Sequence, residues 1–369
     1  MSHPLGLYIH IPFCRRRCDF CAFYLEVHHP AAADRFLAAL HTEISLHARQ
    51  ETVRGRPLSS VYFGGGTPTA LETSGLIGIL DGVRRHFELS IDCEVAIEAH
   101  PATVTMKDLS ALVGAGFTRV SFGAESMEDT ELARIGREAF AVETVTAVRH
   151  ARKAGFTDVN LDLMYGLPGQ SMVSWISTLE QCLDLHPPHL SCYALTIEPG
   201  TALAKDIEAG RRLPPDEALQ VAMDEAAHAA LSAAGYERYE ISNYARPGHM
   251  CRHNLLYWTH GDYLGLGPSS QSFLNGVRFG KTANSSIYQA DLALQRLPLS
   301  DYALLSDQER LRDAVVFGLR LTQGVPTASL SAHGMNYGHG HTISRLRDEH
   351  LLEEADRYTR LTAKGRLYA

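Results

Sequence analysis

The sequence predicts an α/β fold: an open, partial (βα)6 barrel of TIM-like type with a small C-terminal α+β unit of winged-helix type. Three observations predict it. Six short apolar runs alternate with segments of helical period, which favours a parallel sheet covered by helices. Six such units are too few to close the eight-stranded barrel. The chain then ends in a helix, a small hairpin and a last helix.

The first run is Leu5–Ile11, and three cysteines follow it at Cys14, Cys18 and Cys21. Phe36, Leu40 and Ile44 form a helical stripe before the second run, Ser59–Phe63. Leu76, Ile79, Leu80, Val83 and Phe87 share one helical face, with Ser74 in position to cap the helix. The third, fourth and fifth strands are Cys93–Glu98, Arg119–Gly123 and Val159–Met164. A helix over Met172–Leu185 turns Trp175, Leu179, Cys182 and Leu183 inward, and the sixth strand is Leu190–Leu195. An Ala-rich helix over Pro214–Ala234 reads as leaving this core. Gly235–Tyr257 is aromatic and polar without a period, and Gly261–Gly280 reads as loops with short strands. Gln308–Leu321 is a helix with Leu311, Val315 and Leu319 in step. His341–His350, Leu351–Tyr358 and Leu361–Leu367 give the final helix, hairpin and helix. The expected domains are a barrel core over 1–230, a segment of separate character over 231–300 and the winged-helix-like unit over 301–369.

The 369 residues, 45% hydrophobic and 21% charged, suit an enzyme-like globular protein with an ample core. A net charge of −8 argues against nucleic acid as a partner, and mixed charge in the C-terminal unit argues against DNA binding there. No signal pattern opens the chain and no apolar run is long enough to span a bilayer, so a cytoplasmic location is expected. Seven cysteines, an odd number, are not a disulfide framework in a reducing compartment. Cys182 and Cys192 lie in apolar surroundings and read as small buried hydrophobes.

Cys14, Cys18 and Cys21 are spaced C-x3-C-x2-C. A structural zinc site is normally closed by four ligands, and no fourth Cys or His stands at a usual spacing. Three thiolates on a 4Fe-4S cube leave one iron open to a further ligand. This spacing resembles the signature of the radical S-adenosylmethionine (SAM) superfamily, in which the open iron binds SAM. Other strand ends fit a shared pocket. Gly64, Gly65 and Gly66 let backbone approach a ligand, Glu98 and Glu125 end strands, and Asp162 sits inside an apolar run where an unpaired carboxylate is costly. Singly, each reads equally well as a turn or a structural ion pair; together, at one barrel rim, they favour a common ligand.

"YIHIPFC", "FGGGTPT", "LDLMYGLPGQ", "LTIEPGT" and "LTAKGR" resemble the oxygen-independent coproporphyrinogen oxidase family along essentially the whole chain. Within it the chain is most similar to the HemW-type haem chaperones. The oxidases carry a further cysteine where Phe23 stands, and Tyr239–Trp258 contains H-N-x-x-Y-W, the segment that the family associates with haem. The resemblance implies that Tyr8, Gly65 and Glu98 contact SAM and that Phe20 packs on the cofactor. Gly66, Thr67, Glu125, Arg137, Asp162 and Ala194 match positions that in the oxidase meet a second SAM. Glu125 stands where Gln is usual, which puts a second SAM in question. Ser270-Gln271 replaces the Ala-His that relatives often carry. For haem iron the candidates are His253, Cys251 and His249, with Tyr257 and Trp258 to stack on the porphyrin. Without the resemblance these aromatics read as core.

The implied function is a haem chaperone that binds haem and a SAM-ligated cluster and transfers haem to acceptor haemoproteins, without dedicated substrate turnover. Radical decarboxylation of coproporphyrinogen III and a HemW-like radical SAM methyltransferase are the alternatives. The partners implied are haem, acceptor haemoproteins and a reductant such as flavodoxin or ferredoxin. A homodimer and peripheral membrane contact through acceptors fit the same reading.

Overall fold

The structure is a computed structural model describing residues 5–137, 139–337 and 339–368, the side chains of residues 332, 333 and 335–337 apart. Six parallel strands stand where the six apolar runs do: β1 (Leu5–Ile11), β2 (Leu58–Gly65), β3 (Leu89–Ala99), β4 (Arg119–Glu125), β5 (Asp158–Tyr165) and β6 (His189–Ala194). Side chains alternate across a strand, so each strand has an outer and an inner face. In β1 the outer set is Leu5, Leu7, Ile9 and Ile11, all fully buried under helices, and Gly6, Tyr8 and His10 face inward. The covering helices are α1 (Pro30–Ala48), α2 (Thr73–His86), α3 (Met106–Gly114), α4 (Ala141–Ala154) and α5 (Met172–Asp184). One continuous apolar core lies between helices and strands.

Three local expectations need correction. Ser74 does not cap α2; Glu72 stands at the cap without a side-chain bond. The neighbouring Thr73 hydroxyl donates instead to Asp108 in the first turn of α3, at 2.9 Å. The Ala-rich helix α6 (Glu217–Ala233) does not leave the core. It buries Met223, Ala227 and Leu231, and the Trp175 indole N–H of α5 donates to Met223 O at 2.8 Å. A buried indole needs an acceptor, and the small alanine face lets α6 come close enough to supply one. The C-terminal hairpin runs further than expected.

Residues 235–304 add strands to both edges of the sheet. β7 (Glu237–Arg238) and β8 (Asn243–Ala245) continue it antiparallel beyond β6. After helix α7 (Arg252–Trp258), β9 (Tyr263–Leu266) pairs parallel with the free side of β1. β10 (Gln271–Leu274), β11 (Val277–Lys281) and, after α8 (Ser285–Ala293), β12 (Leu299–Leu304) follow antiparallel. The order of this 12-stranded sheet is β12-β11-β10-β9-β1-β2-β3-β4-β5-β6-β8-β7. The barrel stays open, and α7 lies across its interior.

The C-terminal unit holds α9 (Asp307–Gly318), β13 (Val325–Pro326), α10 (Thr327–Tyr337), α11 (Gly340–Asp348), β14 (Leu352–Ala355), β15 (Tyr358–Leu361) and α12 (Ala363–Arg366). Its three strands are ordered β13-β15-β14 around a small core of Val315, Val325 and Leu330, a winged-helix arrangement. The hairpin turns at Asp356-Arg357, both at positive φ, so its second strand begins at Tyr358. The last helix shrinks to four residues capped by Thr362.

A buried ion pair ties the added strands to the barrel. Lys281 of β11 lies 3.5 Å from Glu43 of α1, and both side chains are fully buried. Glu43 also accepts from Gly267 N at 2.8 Å and from Tyr288 OH at 2.7 Å. Removing one partner strands the other charge. Lys281→Ala is therefore expected to cost about 3–5 kcal/mol in denaturant unfolding, and Glu43→Gln with Lys281→Met distinctly less.

Candidate functional site

The inner face of the barrel is polar. From the strand starts to their C-terminal ends it carries Ser60 and Tyr62, Glu94 and Glu98, Arg119 and Ser121, Asn160 and Asp162, then His189, Ser191 and Tyr193. At the C-terminal ends a cleft is lined by Cys14, Cys18 and Cys21 together with Phe20, Gly65, Gly66, Thr67, Glu98, Glu125, Arg137 and Asp162. Two expected residues do not line it. Tyr8 is packed deeper, its hydroxyl 3.2 Å from His10 Nδ1, and Ala194 has the opposite strand parity from the inward Ser191 and Tyr193. Tyr193 lines the cleft.

Two glycines are required by the geometry. Gly65 has φ +112, and a Cβ there would meet the His10 ring at 2.7 Å. A Cβ on Gly66 would meet Phe13 O at 2.7 Å. The turn thus brings the Gly65 N–H within 3.2 Å of Glu98 Oε2, while Tyr62 OH donates to Glu98 Oε1 at 3.0 Å. Burial, reinforced by Asp162, pushes the Glu98 carboxyl up to about 8. Asp162 is raised too, mainly by burial; Ser121 Oγ and Asn160 Nδ2, each at 2.8 Å, work against that rise.

Glu125 sits at φ +63, just past a register shift between β4 and β5. A bulge of this kind re-aims a side chain, and here the carboxylate meets Arg137 at 3.5 Å and Tyr193 OH at 3.1 Å. Arg137 also bonds Gly123 O and approaches Cys18 Sγ at 3.8 Å. Burial raises the pKa of all three thiols; Thr67 Oγ1, 3.2 Å from Cys14 Sγ, opposes the rise at Cys14 and Arg137 opposes it at Cys18. All seven cysteines are free. Among the described residues no set of His, Cys, Asp or Glu is gathered tightly around one point as for a single metal ion. The three thiols instead face a shared cleft, with a guanidinium beside one of them to offset thiolate charge. That donor set and that room fit a polynuclear cluster.

The haem candidates lie at the other end of the strands. α7 closes the barrel floor. The His253 ring stacks on Tyr62 with centroids 5.1 Å apart, its Nδ1 is 2.8 Å from Ser60 Oγ and its Nε2 is 2.8 Å from Tyr257 OH. The ring is buried, which lowers its pKa to about 3, so it is neutral. Cys251 Sγ is buried against Glu94 at 3.5 Å. Trp258 is half-buried beneath Arg320. His249 keeps 36% of its side chain exposed, with Nδ1 2.7 Å from Asp158 Oδ1. Both nitrogens of His253 therefore have partners inside the barrel, and it is a floor residue in this structure rather than a group open to iron. Sequence reasoning also missed Tyr62, which touches both ends, and His10, whose Nε2 lies 3.0 Å from Tyr24 O in the cysteine loop. Strand parity would have found Tyr62 and Tyr193, because both keep step with the inward residues of their strands.

Residues 8–182 match the radical SAM superfamily and residues 305–368 match the HemN C-terminal domain. The chain is 36% identical over 373 residues to the haem chaperone HemW of Mycobacterium tuberculosis, covering 100% of this chain and 93% of that protein. It is 39% identical over 269 residues to haem chaperone HemW of Escherichia coli, covering 72% of this chain and 68% of that protein. The solved structure of coproporphyrinogen III oxidase (HemN) from Escherichia coli superposes with a TM-score of 0.86 at 26% identity, over 100% of this chain and 88% of that one. Among the described residues no helix is long and apolar enough to cross a membrane.

The Glu98 shift has a stability consequence. The folded chain keeps this proton up to about pH 8, whereas an unfolded Glu loses it near 4.5. Between those values the folded state binds more protons, so Glu98 makes stability fall as pH rises. In urea unfolding of the cofactor-free chain from pH 5 to pH 8, Glu98→Gln should gain on the wild type as pH increases. A constant offset would contradict the shift.

Proposed function

The chain belongs to the HemW family of the radical SAM superfamily, and from that membership we propose that it is a haem chaperone working in the cytosol, which binds haem and a SAM-ligated 4Fe-4S cluster and passes haem to acceptor haemoproteins. One observation carries the reading. The H-N-x-x-Y-W segment is the floor of the same barrel whose rim presents the three cysteines, and Tyr62 touches both, stacking on His253 and donating to Glu98.

In this reading Cys14, Cys18 and Cys21 hold the cluster as thiolates, with Arg137 offsetting charge at Cys18. When bound, the cluster supplies one electron to the SAM sulfonium. Glu98 is the acceptor for the SAM amino group, steadied by Gly65 N–H and Tyr62 OH. Phe20 supplies an apolar wall, and Asp162 and Thr67 line the rest of the cleft. Glu125 already binds Arg137 and Tyr193, so this guanidinium is less available to the carboxylate of a second SAM.

For haem iron, the geometry favours His249. Its Nδ1 faces the Asp158 carboxylate, leaving Nε2 to meet iron, the arrangement typical of imidazole ligands. His253 can ligate iron only if α7 leaves the floor. Coproporphyrinogen decarboxylation is the second reading, favoured by the HemN superposition; Phe23, 67% exposed where the oxidases carry a cysteine, weighs against it.

The test is anaerobic reconstitution with iron and sulfide, followed by haemin titration and haem transfer to an apo-haemoprotein. Haemin should give a Soret shift, and the acceptor should gain haem. Asp158→Asn should lower haemin affinity about tenfold, and His249→Ala at least as much. His253→Ala should be felt first as lost stability. No Soret change at micromolar haemin would remove the chaperone reading, and protoporphyrinogen formed with SAM and reductant would install the oxidase.

A further inference from the structure

The cleft carries an imidazole that neither the cysteine loop nor the strand-end carboxylates use. His100 follows Ala99, the last residue of β3, and lines the cleft with Arg15, Thr67 and Thr103. Its backbone is fixed from both sides: His100 N donates to Thr69 Oγ1 at 3.3 Å, and Thr103 Oγ1 donates to His100 O at 2.8 Å. The two threonine hydroxyls bond each other at 2.7 Å. The ring is fixed as well, because Ala102 N donates to its Nδ1 at 3.2 Å. Burial, with Arg137 and Arg15 nearby, lowers the pKa of the ring to about 3, so it is neutral. A neutral imidazole has one donor and one acceptor nitrogen. Here Nδ1 is the acceptor, so Nε2 carries the proton, and Nε2 has no partner among the described residues. The same Ala102 holds Arg15, whose Nη1 donates to Ala102 O at 3.4 Å. The backbone of one residue thus sets an oriented N–H beside a guanidinium.

We propose that His100 and Arg15 form a carboxylate-binding corner at the mouth of the cleft, which takes the acid group of a second ligand seated beside SAM. The place beside SAM rests on the functional reading above; the corner rests on the two side chains. A carboxylate is planar and accepts at two oxygens, one for the Nε2–H and one for the guanidinium. The imidazole is oriented before anything binds, so ordering it costs little. Arg137 is held by Glu125 at 3.5 Å and by Gly123 O, which leaves Arg15 as the cation of the corner. Position separates this corner from the carboxylate of SAM itself. His100 lies two residues beyond Glu98 on extended backbone, so it faces the same side about 7 Å nearer the mouth. In an α-amino acid the amino and carboxylate groups share one carbon. A SAM whose amino group is at Glu98 therefore keeps its acid close to Glu98. The charges agree with two ligands: Glu98, Glu125 and Asp162 suit a cation, and the corner suits an anion.

The experiment uses the full chain, with succinate as the probe and chloride at matched ionic strength as the control. In the cofactor-free chain carrying isotope-labelled histidine, nitrogen NMR should show His100 with a protonated Nε2 and a bare Nδ1. Its Nε2–H resonance should move as succinate is added. Calorimetry on the chain reconstituted with iron and sulfide should give the same succinate affinity with and without saturating SAM. His100→Phe, which keeps a ring and removes the N–H, should lower that affinity about tenfold. His100→Gln, which keeps an amide donor, should restore part of it. Arg15→Gln, at an exposed position, should lower the affinity while leaving thermal stability unchanged. A proton on Nδ1, an unmoved His100 resonance, or an affinity indifferent to these variants overturns the proposal. Tighter binding of inorganic phosphate than of succinate overturns the carboxylate class. Displacement of succinate by SAM overturns the second ligand and makes the corner part of the SAM site. Failure to incorporate iron and sulfide defeats the functional reading, while the resonance titration still decides the corner; incorporation without a succinate response defeats the corner alone.

Discussion

The structure depends on pairing the polar groups that its strands turn inward. The outer faces are Leu, Ile, Val and Phe under helices, which commits the opposite parity to the barrel interior. That interior holds Glu94, Glu98, Arg119, Asn160, Asp162 and His189, and each needs a partner to offset lost hydration. At the strand starts the partners are internal. Arg119 bonds Glu94 at 2.8 Å and Asp158 at 3.2 Å, and His189 lies between Asn160 and Tyr239. Backbone from α7 completes the set, with His253 N donating to Glu94 at 3.2 Å. At the C-terminal ends burial, reinforced by the neighbouring Asp162, pushes Glu98 up to about 8 even though Tyr62 and Gly65 donate to it. The end where buried carboxyls crowd together around a cleft is the end prepared for a ligand.

Two contact chains join these ends. One runs from His253 through the Tyr62 ring to Glu98. The other runs from Tyr8 OH through His10 to Tyr24 O, just beyond the last cysteine. A Cβ at Gly65 would strike the same His10 ring, so the glycine turn and the imidazole are fitted to each other. A change at the floor therefore meets the cysteine loop and Glu98 through packed aromatic side chains, which have little room to absorb a shift.

Much of this was legible from residue spacing. The six parallel strands, the cysteine triplet, the glycine turn and the inward carboxylates all follow from period and motif. The edges of the sheet did not, because β7, β8 and β9 are two to four residues long, too short to show alternation. The course of α6 was hidden for a different reason: an alanine-rich face looks weakly hydrophobic, yet it allows the close approach that the Trp175 indole requires. His253 was recognised by motif but not by environment. A sequence shows that an imidazole stands next to Asn254 and near Tyr257; it does not show that Ser60, far away in the chain, will take its other nitrogen. Residues whose role depends on a long-range partner are the ones that local reading assigns least well.

Charge of both signs lines the cleft at the cysteine loop. Glu98, Glu125 and Asp162 face it, together with Arg15, Arg16 and Arg137. Burial raises all three carboxyls. A ligand carrying positive charge would oppose that rise, because an opposite charge nearby favours the ionised carboxylate. Arg15 and Arg16, exposed between the first two cysteines, bring positive charge to the same cleft.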